Sequence, residues 1–421
     1  SAASDVYKRQ LHRGPDAEGI FVEGDVALGQ RRLSIIDLAG GNQPIYNEDK
    51  SILIMYNGEV YNYKELKEEL TEYKFETESD TEVVLHGYEK WGHDLPKKLR
   101  GMFAYAIYDK NKGEIFISRD QFGIKPLYYY HDGDTILFGS EIKSFLAYPK
   151  FKKVLNKELL GAYLTFSFTP TDETFFKGVY RLPSGHSMTI DVKKRKIKID
   201  RYFKVEFGNT DKSFDEVVKD ISTAMKDSTE HHLISDVEVG SFLSSGVDSS
   251  YLVSLAKPDK TYTIGFDLAK YSEIDYAKDL TDKLNIKNIS EKISKEEYMN
   301  ALSEVYYHMD EPTADGCAIA VYFLSRLASK DVKVVLSGEG ADEFFGGYNS
   351  YDDNFYTKLP FFIRKSMASI CKILPKNKIT RYIIRRGLPL EESYVSINRT
   401  YYDDELKDLS LIHISEPTRP Y

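Results

Sequence analysis

The chain has 421 residues, 42% hydrophobic and 29% charged, which suits two or three globular domains, each large enough for its own core. A formal net charge of −9 argues against a general nucleic-acid surface, and no apolar run reaches membrane-spanning length. Two widely separated cysteines, Cys317 and Cys371, form neither a disulfide framework nor a zinc spacing and point to a reducing, cytoplasmic setting.

In chain order, the first half reads as β-rich. Runs of Val, Ile, Phe and Tyr predict strands over Ser51–Tyr56, Met102–Tyr108, Glu114–Ser118, Leu127–Tyr130 and Thr135–Gly139, with turns at 109–113 and 131–134. Helices are predicted over Tyr63–Leu70 and Thr81–Trp91. Two antiparallel sheets sandwiched by helices accommodate this pattern. Tyr180-Arg-Leu-Pro-Ser-Gly-His186 and the lysine-rich strand to Phe203 read as a linker region, and the chain divides near residue 205. Beyond it, Ser213–Leu233 is predicted helical, and Glu238–Leu243, Thr261–Gly265 and Val332–Leu336 are predicted strands. Single strands alternating with long helices imply parallel βαβ units in a doubly wound sheet, which binds ligands at the carboxyl ends of its strands.

Two loops fall at such ends. Phe242-Leu-Ser-Ser-Gly-Val-Asp-Ser-Ser250 and Leu336-Ser-Gly-Glu-Gly-Ala-Asp-Glu-Phe-Phe-Gly-Gly-Tyr348 each run from an apolar strand into small hydroxyl and glycine residues. Loops of this kind turn backbone N–H groups toward one point, and the next helix adds its positive N-terminal end. That suits a phosphate chain, with Asp248 and Asp342 placed to hold Mg2+. No Gly-Lys-Ser/Thr follows, so neither is a Walker A loop. Glu343 stands where a dinucleotide fingerprint needs its third glycine.

The first of these loops resembles the Ser-Gly-Gly-x-Asp-Ser pyrophosphate loop of ATP pyrophosphatases, with Ser245 where many members carry the first glycine. Near the other end stand His12-Arg-Gly-Pro-Asp16, Arg31-Arg-Leu-Ser-Ile35, Tyr56-Asn-Gly-Glu59, Ser79-Asp-Thr81 and Arg100-Gly-Met-Phe-Ala-Tyr105. In that order they resemble the glutaminase half of the class II (N-terminal nucleophile) amidotransferases. Together the halves resemble the glutamine-hydrolysing asparagine synthetases, over about Leu11 to Asp408. The resemblance implies an N-terminal-nucleophile αββα sandwich over 11–205 and an ATP-pyrophosphatase domain with a doubly wound parallel sheet over 206–408. It also implies ATP and Mg2+, with L-glutamine and L-aspartate as the other substrates, no nucleic-acid or membrane partner, and an assembly open to a homodimer.

The glutamine pocket can be argued from chemistry. A zwitterion with a side-chain amide needs a cation, anions and an oxyanion hole. Arg31 can take the α-carboxylate through a forked pair of hydrogen bonds, and Asp80 and the Glu59 region can receive the α-ammonium group. The Asn57 side-chain amide and the Gly58 N–H can stabilise a tetrahedral oxyanion; a hairpin turn is the competing reading of Asn57-Gly58. The family pattern adds Arg32, Leu33, Ser34 and Ile35 to this pocket. It places Leu243, Ser244, Ser245, Gly246, Asp248, Ser249, Ile264, Ser337 and Gly338 around ATP. Leu243 and Ile264 read equally well as core residues. Glu339 matches an acid associated with forming the β-aspartyl-AMP intermediate, and Asp310-Glu-Pro-Thr-Ala-Asp315 matches a segment on the aspartate side. Arg119-Asp120 and Lys125-Pro126 read as structural, and the adjacent His231 and His232 as surface residues.

The family nucleophile is an N-terminal cysteine whose α-amine is its base, and neither Cys317 nor Cys371 can supply that. Residues 1–10 and 409–421 resemble translated adaptor sequence and are set aside, which predicts a polypeptide incomplete at both ends and inactive by itself. The alternatives are a related amidotransferase acting on another acyl acceptor, or a non-catalytic glutamine- or nucleotide-binding module.

Overall fold

The structure is a computed structural model that describes residues 9–267, 272–313, 316–348, 358–375 and 377–389. The C-terminal tail set aside above lies outside them, as do residues 1–8 and the pair Ala314 and Asp315. The described chain forms two compact units. One takes the residues up to Leu155, Asp172–Glu311 and Cys317–Ser337; the other takes Asn156–Thr171, the described part of 312–316, and the residues from Gly338 on.

The first half of the larger unit is built from β1 (Ala17–Glu23), β2 (Val26–Arg32), β3 (Ile45–Tyr46), β4 (Ile52–Val60), β5 (Gly101–Asp109), β6 (Glu114–Arg119), β7 (Tyr128–His131), β8 (Ile136–Gly139), β9 (Val179–Arg181), β10 (His186–Asp191) and β11 (Lys196–Arg201). Helices α1 (Tyr63–Glu69) and α2 (Asp80–Trp91) belong with them. Six strands form an antiparallel sheet in the order β11-β10-β6-β5-β4-β3, beside the hairpin β1-β2 and a sheet ordered β8-β7-β9. Strand β4 is apolar on both faces because both are covered. Ile54 and Tyr56 meet Val84, Leu85 and Tyr88 of α2 in one core, while Leu53 and Met55 meet Phe21, Val26 and Leu28 of the hairpin in another. This stacking is the helix–sheet–sheet part of the αββα sandwich.

The linker reading of 180–203 is corrected here. His186–Asp191 pairs with β6, and Lys196–Arg201 closes the sheet as its edge strand. Most of β11 faces water, so its lysines blunt an open edge rather than mark a linker.

The second half alternates as expected. Helix α3 (Leu160–Phe166) belongs to the smaller unit, and α4 (Phe214–His232) opens on a Ser213/Glu216 capping box. There follow β12 (Val239–Phe242), α5 (Val247–Ala256), β13 (Lys260–Phe266), α6 (Ile274–Leu284), β14 (Lys287–Ile293), α7 (Lys295–Met309), α8 (Cys317–Ala328) and β15 (Val334–Leu336). All strand pairs are parallel, in the order β14-β13-β12-β15. Helices α5 and α6 cover one face through Val253, Ala277 and Leu280, and α7 and α8 cover the other through Ala301, Val305 and Phe323. The sheet is therefore doubly wound, and the strand order reverses between β12 and β15. In the smaller unit α9 (Ala341–Phe345) precedes the paired helices α10 (Phe361–Cys371) and α11 (Lys378–Arg386).

Candidate active site

Within the larger unit a cavity of about 580 Å³ is lined by Arg31, Arg32, Leu33, Ile35, Asn57, Gly58, Glu59 and Asp80. Eight of the nine residues predicted for glutamine thus share one space. Ser34 stands apart: it is buried, and its N–H donates to Asp16 Oδ2 at 2.9 Å. The cavity is also lined by His12, Arg13, Lys125 and Ser325 of α8.

Strand alternation explains how the cavity acquires its donors. Tyr56 N–H donates to Gln43 Oε1 at 2.6 Å and Val60 N–H to Asp80 Oδ2 at 3.0 Å, both on the side of β4 away from β5. Gly58 lies midway between them, so its N–H faces the same side, where no further described strand pairs with it. Gly58 and Asn57 are paired with Phe103 and Ala104 of β5, which excludes the hairpin reading of Asn57-Gly58. A Cβ at Gly58 would stand 2.3 Å from the Met102 carbonyl oxygen, so glycine is required by the close approach of β5.

The two arginines differ. Arg31 donates from Nε to the Gly14 carbonyl at 2.8 Å and from Nη1 to Glu18 at 2.7 Å, which aims the guanidinium and leaves Nη2 for a ligand. Arg32 is buried and spends its guanidinium on Asn42 Oδ1 and the carbonyls of Ile36 and Asp37 at 2.7–3.1 Å. It shapes the 33–37 loop instead of presenting a charge.

Asp80 begins α2, whose Ser79 cap accepts the Thr81 N–H. Burial raises the Asp80 pKa, against hydrogen bonds from Val60 N–H and the Tyr56 hydroxyl that hold its charge. Glu59 is 5% exposed and its Oε1 has no hydrogen-bond partner among the described residues. Burial lifts its pKa to about 7, Lys125 opposes that rise, and Asp80 adds to it. A buried acceptor without a donor, facing a cavity, is suited to a ligand's N–H groups.

Arg119 and Asp120 hold the following turn, as expected. Arg119 donates to the carbonyls of Lys125, Leu182 and Gly123 at 2.6–2.7 Å, and fully buried Asp120 accepts the N–H groups of Phe122, Ile124 and Lys125.

At the reversal point of the parallel sheet, Ser241 pairs with Leu336, so Leu243 and Ser337 leave from neighbouring strand ends. The Ser244 and Ser249 hydroxyls lie 2.9 Å apart, Gly246 N–H donates to Ser244 Oγ at 3.1 Å, and Ser245 Oγ donates to Glu273 at 2.9 Å. Gly246 caps α5. Asp248 in its first turn is exposed and makes no hydrogen bond or ion pair with a described side chain. Leu243 and Ile264 are buried in separate clusters on opposite faces of the sheet, so their side chains serve the core. Gly338, Glu339 and Asp342 belong to the smaller unit. There Gly340 takes a φ of 94° to start α9, and a Cβ at Gly347 would stand 1.8 Å from Asp342 Oδ1, so glycine makes room for that carboxylate.

Motif reading did not anticipate a cluster formed by His12, Glu141, Lys143, His308 and Asp310. Donor atoms of His12, Glu141 and His308 lie within 4.8 Å of one another. Glu141 is already held by His12 Nε2 at 3.0 Å, Gln10 at 2.7 Å, Lys143 at 3.1 Å and Arg13 at 3.7 Å. A metal cation would have to displace an ammonium, so the group is read as an ion-pair cluster. The signal available in sequence was Glu141-Ile-Lys143, charges inside an otherwise apolar run. Asp310 and Glu311, expected near the aspartate, instead bind Lys143 and Arg181.

Comparison with known proteins gives the family. Residues 1–203 match the family profile described as a glutamine amidotransferase domain, and residues 220–407 match the one described as asparagine synthase. The chain is 42% identical over 414 residues to asparagine synthetase [glutamine-hydrolyzing] 1 of Bacillus subtilis, covering 96% of this chain and 65% of that protein. It is 35% identical to putative asparagine synthetase [glutamine-hydrolyzing] 2 of Methanocaldococcus jannaschii, covering 96% of this chain and 81% of that one. Among solved structures, the glutamine phosphoribosylpyrophosphate amidotransferase of B. subtilis aligns with a TM-score of 0.35 and 16% identity, over 68% of this chain and 61% of its own. The two profiles define a glutamine amidotransferase half followed by an asparagine synthase half, the latter carrying the doubly wound sheet. The chain belongs to the glutamine-hydrolysing asparagine synthetase family.

Proposed function

We propose that the chain carries the machinery for ATP-dependent amidation of L-aspartate to L-asparagine through a β-aspartyl-AMP intermediate, with glutamine as the ammonia donor. AMP, pyrophosphate and glutamate are the by-products. The observation that carries this reading is the single cavity gathering Arg31, Asn57, Gly58, Glu59 and Asp80 on the same polypeptide as the reversal-point loop 243–249.

In the glutaminase, Nη2 of Arg31 receives the α-carboxylate, and Glu59 and Asp80 receive the α-ammonium. The Gly58 N–H and the Asn57 amide face the carbonyl oxygen that becomes an oxyanion when a thiolate attacks. Removing one such donor costs about 10²–10³ in rate. The attacking thiolate is expected from an N-terminal cysteine, a role that Cys317 and Cys371 do not fill. In the synthetase, the 244–249 loop and the N-terminal end of α5 face the phosphates. The aspartate carboxylate attacks the α-phosphorus and pyrophosphate leaves; Glu339 is placed by its motif at the forming acyl-adenylate. Asp248 and Asp342, matched by their motifs, each offer the hard carboxylate oxygens that Mg2+ takes, and Asp248 is exposed and without a partner among the described residues, which fits an ion beside phosphate. Mg2+ when bound supplies charge neutralisation for the departing pyrophosphate. Ammonia then displaces AMP.

The assignment of 11–205 to the glutaminase and 206–408 to the synthetase is part of this proposal, supported by profile matches that end at 203 and begin at 220. Among the described residues no helix is long and apolar enough to cross a membrane; a cytoplasmic homodimer is proposed on the family resemblance. The test is titration of the chain with L-glutamine and MgATP, followed by ATP–pyrophosphate exchange dependent on L-aspartate. Binding of both, with exchange specific to L-aspartate, supports the reading. Exchange driven better by another carboxylic acid reassigns the acceptor, and binding of neither ligand overturns the function.

A further inference from the structure

We infer that Lys125 is a positioning residue of the glutamine pocket, placed to keep an anion at Glu59 for the substrate's α-ammonium group. The inference rests on the glutamine reading above for the identity of the ligand, though not for the coupling between the two residues.

Lys125 and Glu59 line the same cavity. Among the described residues neither side chain has an ion-pair partner within 4.0 Å, and Glu59 Oε1 is buried with no hydrogen bond. The lysine backbone, by contrast, is tightly held. Its N–H donates to Asp120 Oδ2 at 3.0 Å and its carbonyl accepts from Arg119 Nε at 2.7 Å. Arg119 and Asp120 therefore do more than shape a turn: they fix the point from which Lys125 reaches into the cavity.

A buried carboxyl beside another carboxyl favours its protonated form. Glu59 is in that situation, with Asp80, Tyr56 and Tyr61 around it on the β4 and α2 side. The same cavity is lined by Lys125, His12, Arg13, Arg31 and Arg32. His12 and Arg13 are drawn to Glu141, Arg31 to Glu18, and Arg32 to backbone carbonyls. Among the described cavity-lining residues Lys125 is the cation that remains for Glu59; burial lowers the Lys125 pKa, Glu59 and Asp120 act to raise it, and Arg13 acts to lower it. A protonated Glu59 offers an ammonium ligand no charge, so losing Lys125 should weaken binding through Glu59 and depend on pH.

The test uses the 421-residue chain and two readouts. Infrared difference spectroscopy follows the Glu59 carboxyl band, identified by its loss in Glu59→Gln, and calorimetry follows L-glutamine binding from about pH 6 to about pH 9. In Lys125→Met the Glu59 titration should move up by about one pH unit or more. Glutamine affinity should fall about fivefold at about pH 7, where wild-type Glu59 is itself half-protonated, approach a tenfold loss near about pH 6, and converge on wild type toward about pH 9. Lys125→Arg should restore both, and Lys125→Met should add nothing in a Glu59→Gln background. An unmoved Glu59 titration in Lys125→Met overturns the inference whatever glutamine does. A moved titration in a chain that binds no glutamine sustains the coupling and refutes the glutamine reading instead.

Discussion

Lys143 Nζ lies 3.0 Å from Asp310 Oδ1, and the two side chains are only 4% and 5% exposed. The same ammonium reaches Glu141 at 3.1 Å and the His308 carbonyl at 3.3 Å. Asp310 also accepts the Ile142 N–H at 2.6 Å while holding a left-handed φ of 62°. One lysine of the amidotransferase half thus ties down the segment that closes α7 in the synthetase half. Lys143→Met would leave buried Asp310 without its cation and Glu141 with only His12 and Arg13 as ion-pair partners. It should cost about 3–5 kcal/mol, read as a lower urea midpoint, and Asp310→Asn in the same chain should recover part of it. An unchanged midpoint would show that the cluster contributes nothing to stability.

Arg31→Ala should weaken L-glutamine binding by at least about tenfold, the scale of one charge-assisted pair, with ATP binding unaltered. Calorimetry with each ligand separates the two. Equal loss of both would make Arg31 a structural residue, anchoring Gly14 and Glu18.

Asp248→Ala should remove the Mg2+-dependent part of ATP binding and ATP–pyrophosphate exchange with it, while glutamine binding stays intact. The side chain is exposed, so no loss of stability beyond about 0.5 kcal/mol is expected. Retained Mg2+ dependence would move the ion away from this loop.

Gly58→Ala should destabilise the chain by about 2–4 kcal/mol, because the added methyl meets the β5 backbone and not a side chain that could turn aside. Thermal denaturation reads this directly. A wild-type midpoint would mean that β4 and β5 separate easily there.

His86 supplies a pH dependence. Burial opposes its charge, but Glu82 and Glu89 overcome that and raise its pKa from 6.5 to about 9, while Glu82 is lowered from 4.5 to about 2. The Glu82 share, which burial opposes and which comes from the His86 ion pair at 3.6 Å and hydrogen bonds donated by Glu76 and Thr77, is present above pH 4.5 and lost as pH falls toward 2. The His86 share is complete below pH 6.5 and lost as pH rises through about 9. Stability from the pair should therefore be greatest between pH 4.5 and 6.5. His86→Gln should flatten the alkaline decline, on the order of 2–3 kcal/mol, in unfolding midpoints measured against pH. Because Glu82 accepts the N–H groups of Glu76 and Thr77, the same variant should loosen the loop that delivers Asp80.

Much was legible in the chain alone. Apolar runs located the strands from β4 to β8 and the alternation of the second half, because burial on a covered sheet demands such runs wherever they occur. The order of short motifs named a candidate glutamine pocket, and eight of the nine residues it named line one cavity. Those properties are local: propensity, apolar period, and residue types whose chemistry is self-contained. Other features were decided by distant partners. Lys196–Arg201 alternates isoleucine with lysine, so a strand is legible there, but only the open edge of β10 gives it a place in the sheet. Asn57-Gly58 has the composition of a turn, and only β5, 2.3 Å from where a Cβ would stand, makes it a mid-strand donor. Lys143 meets Asp310 across 167 positions, and Glu59 and Lys125 come to line one cavity. A charge in a sequence states only what it can do; which opposite charge it finds, and whether water is excluded between them, is settled when remote segments pack.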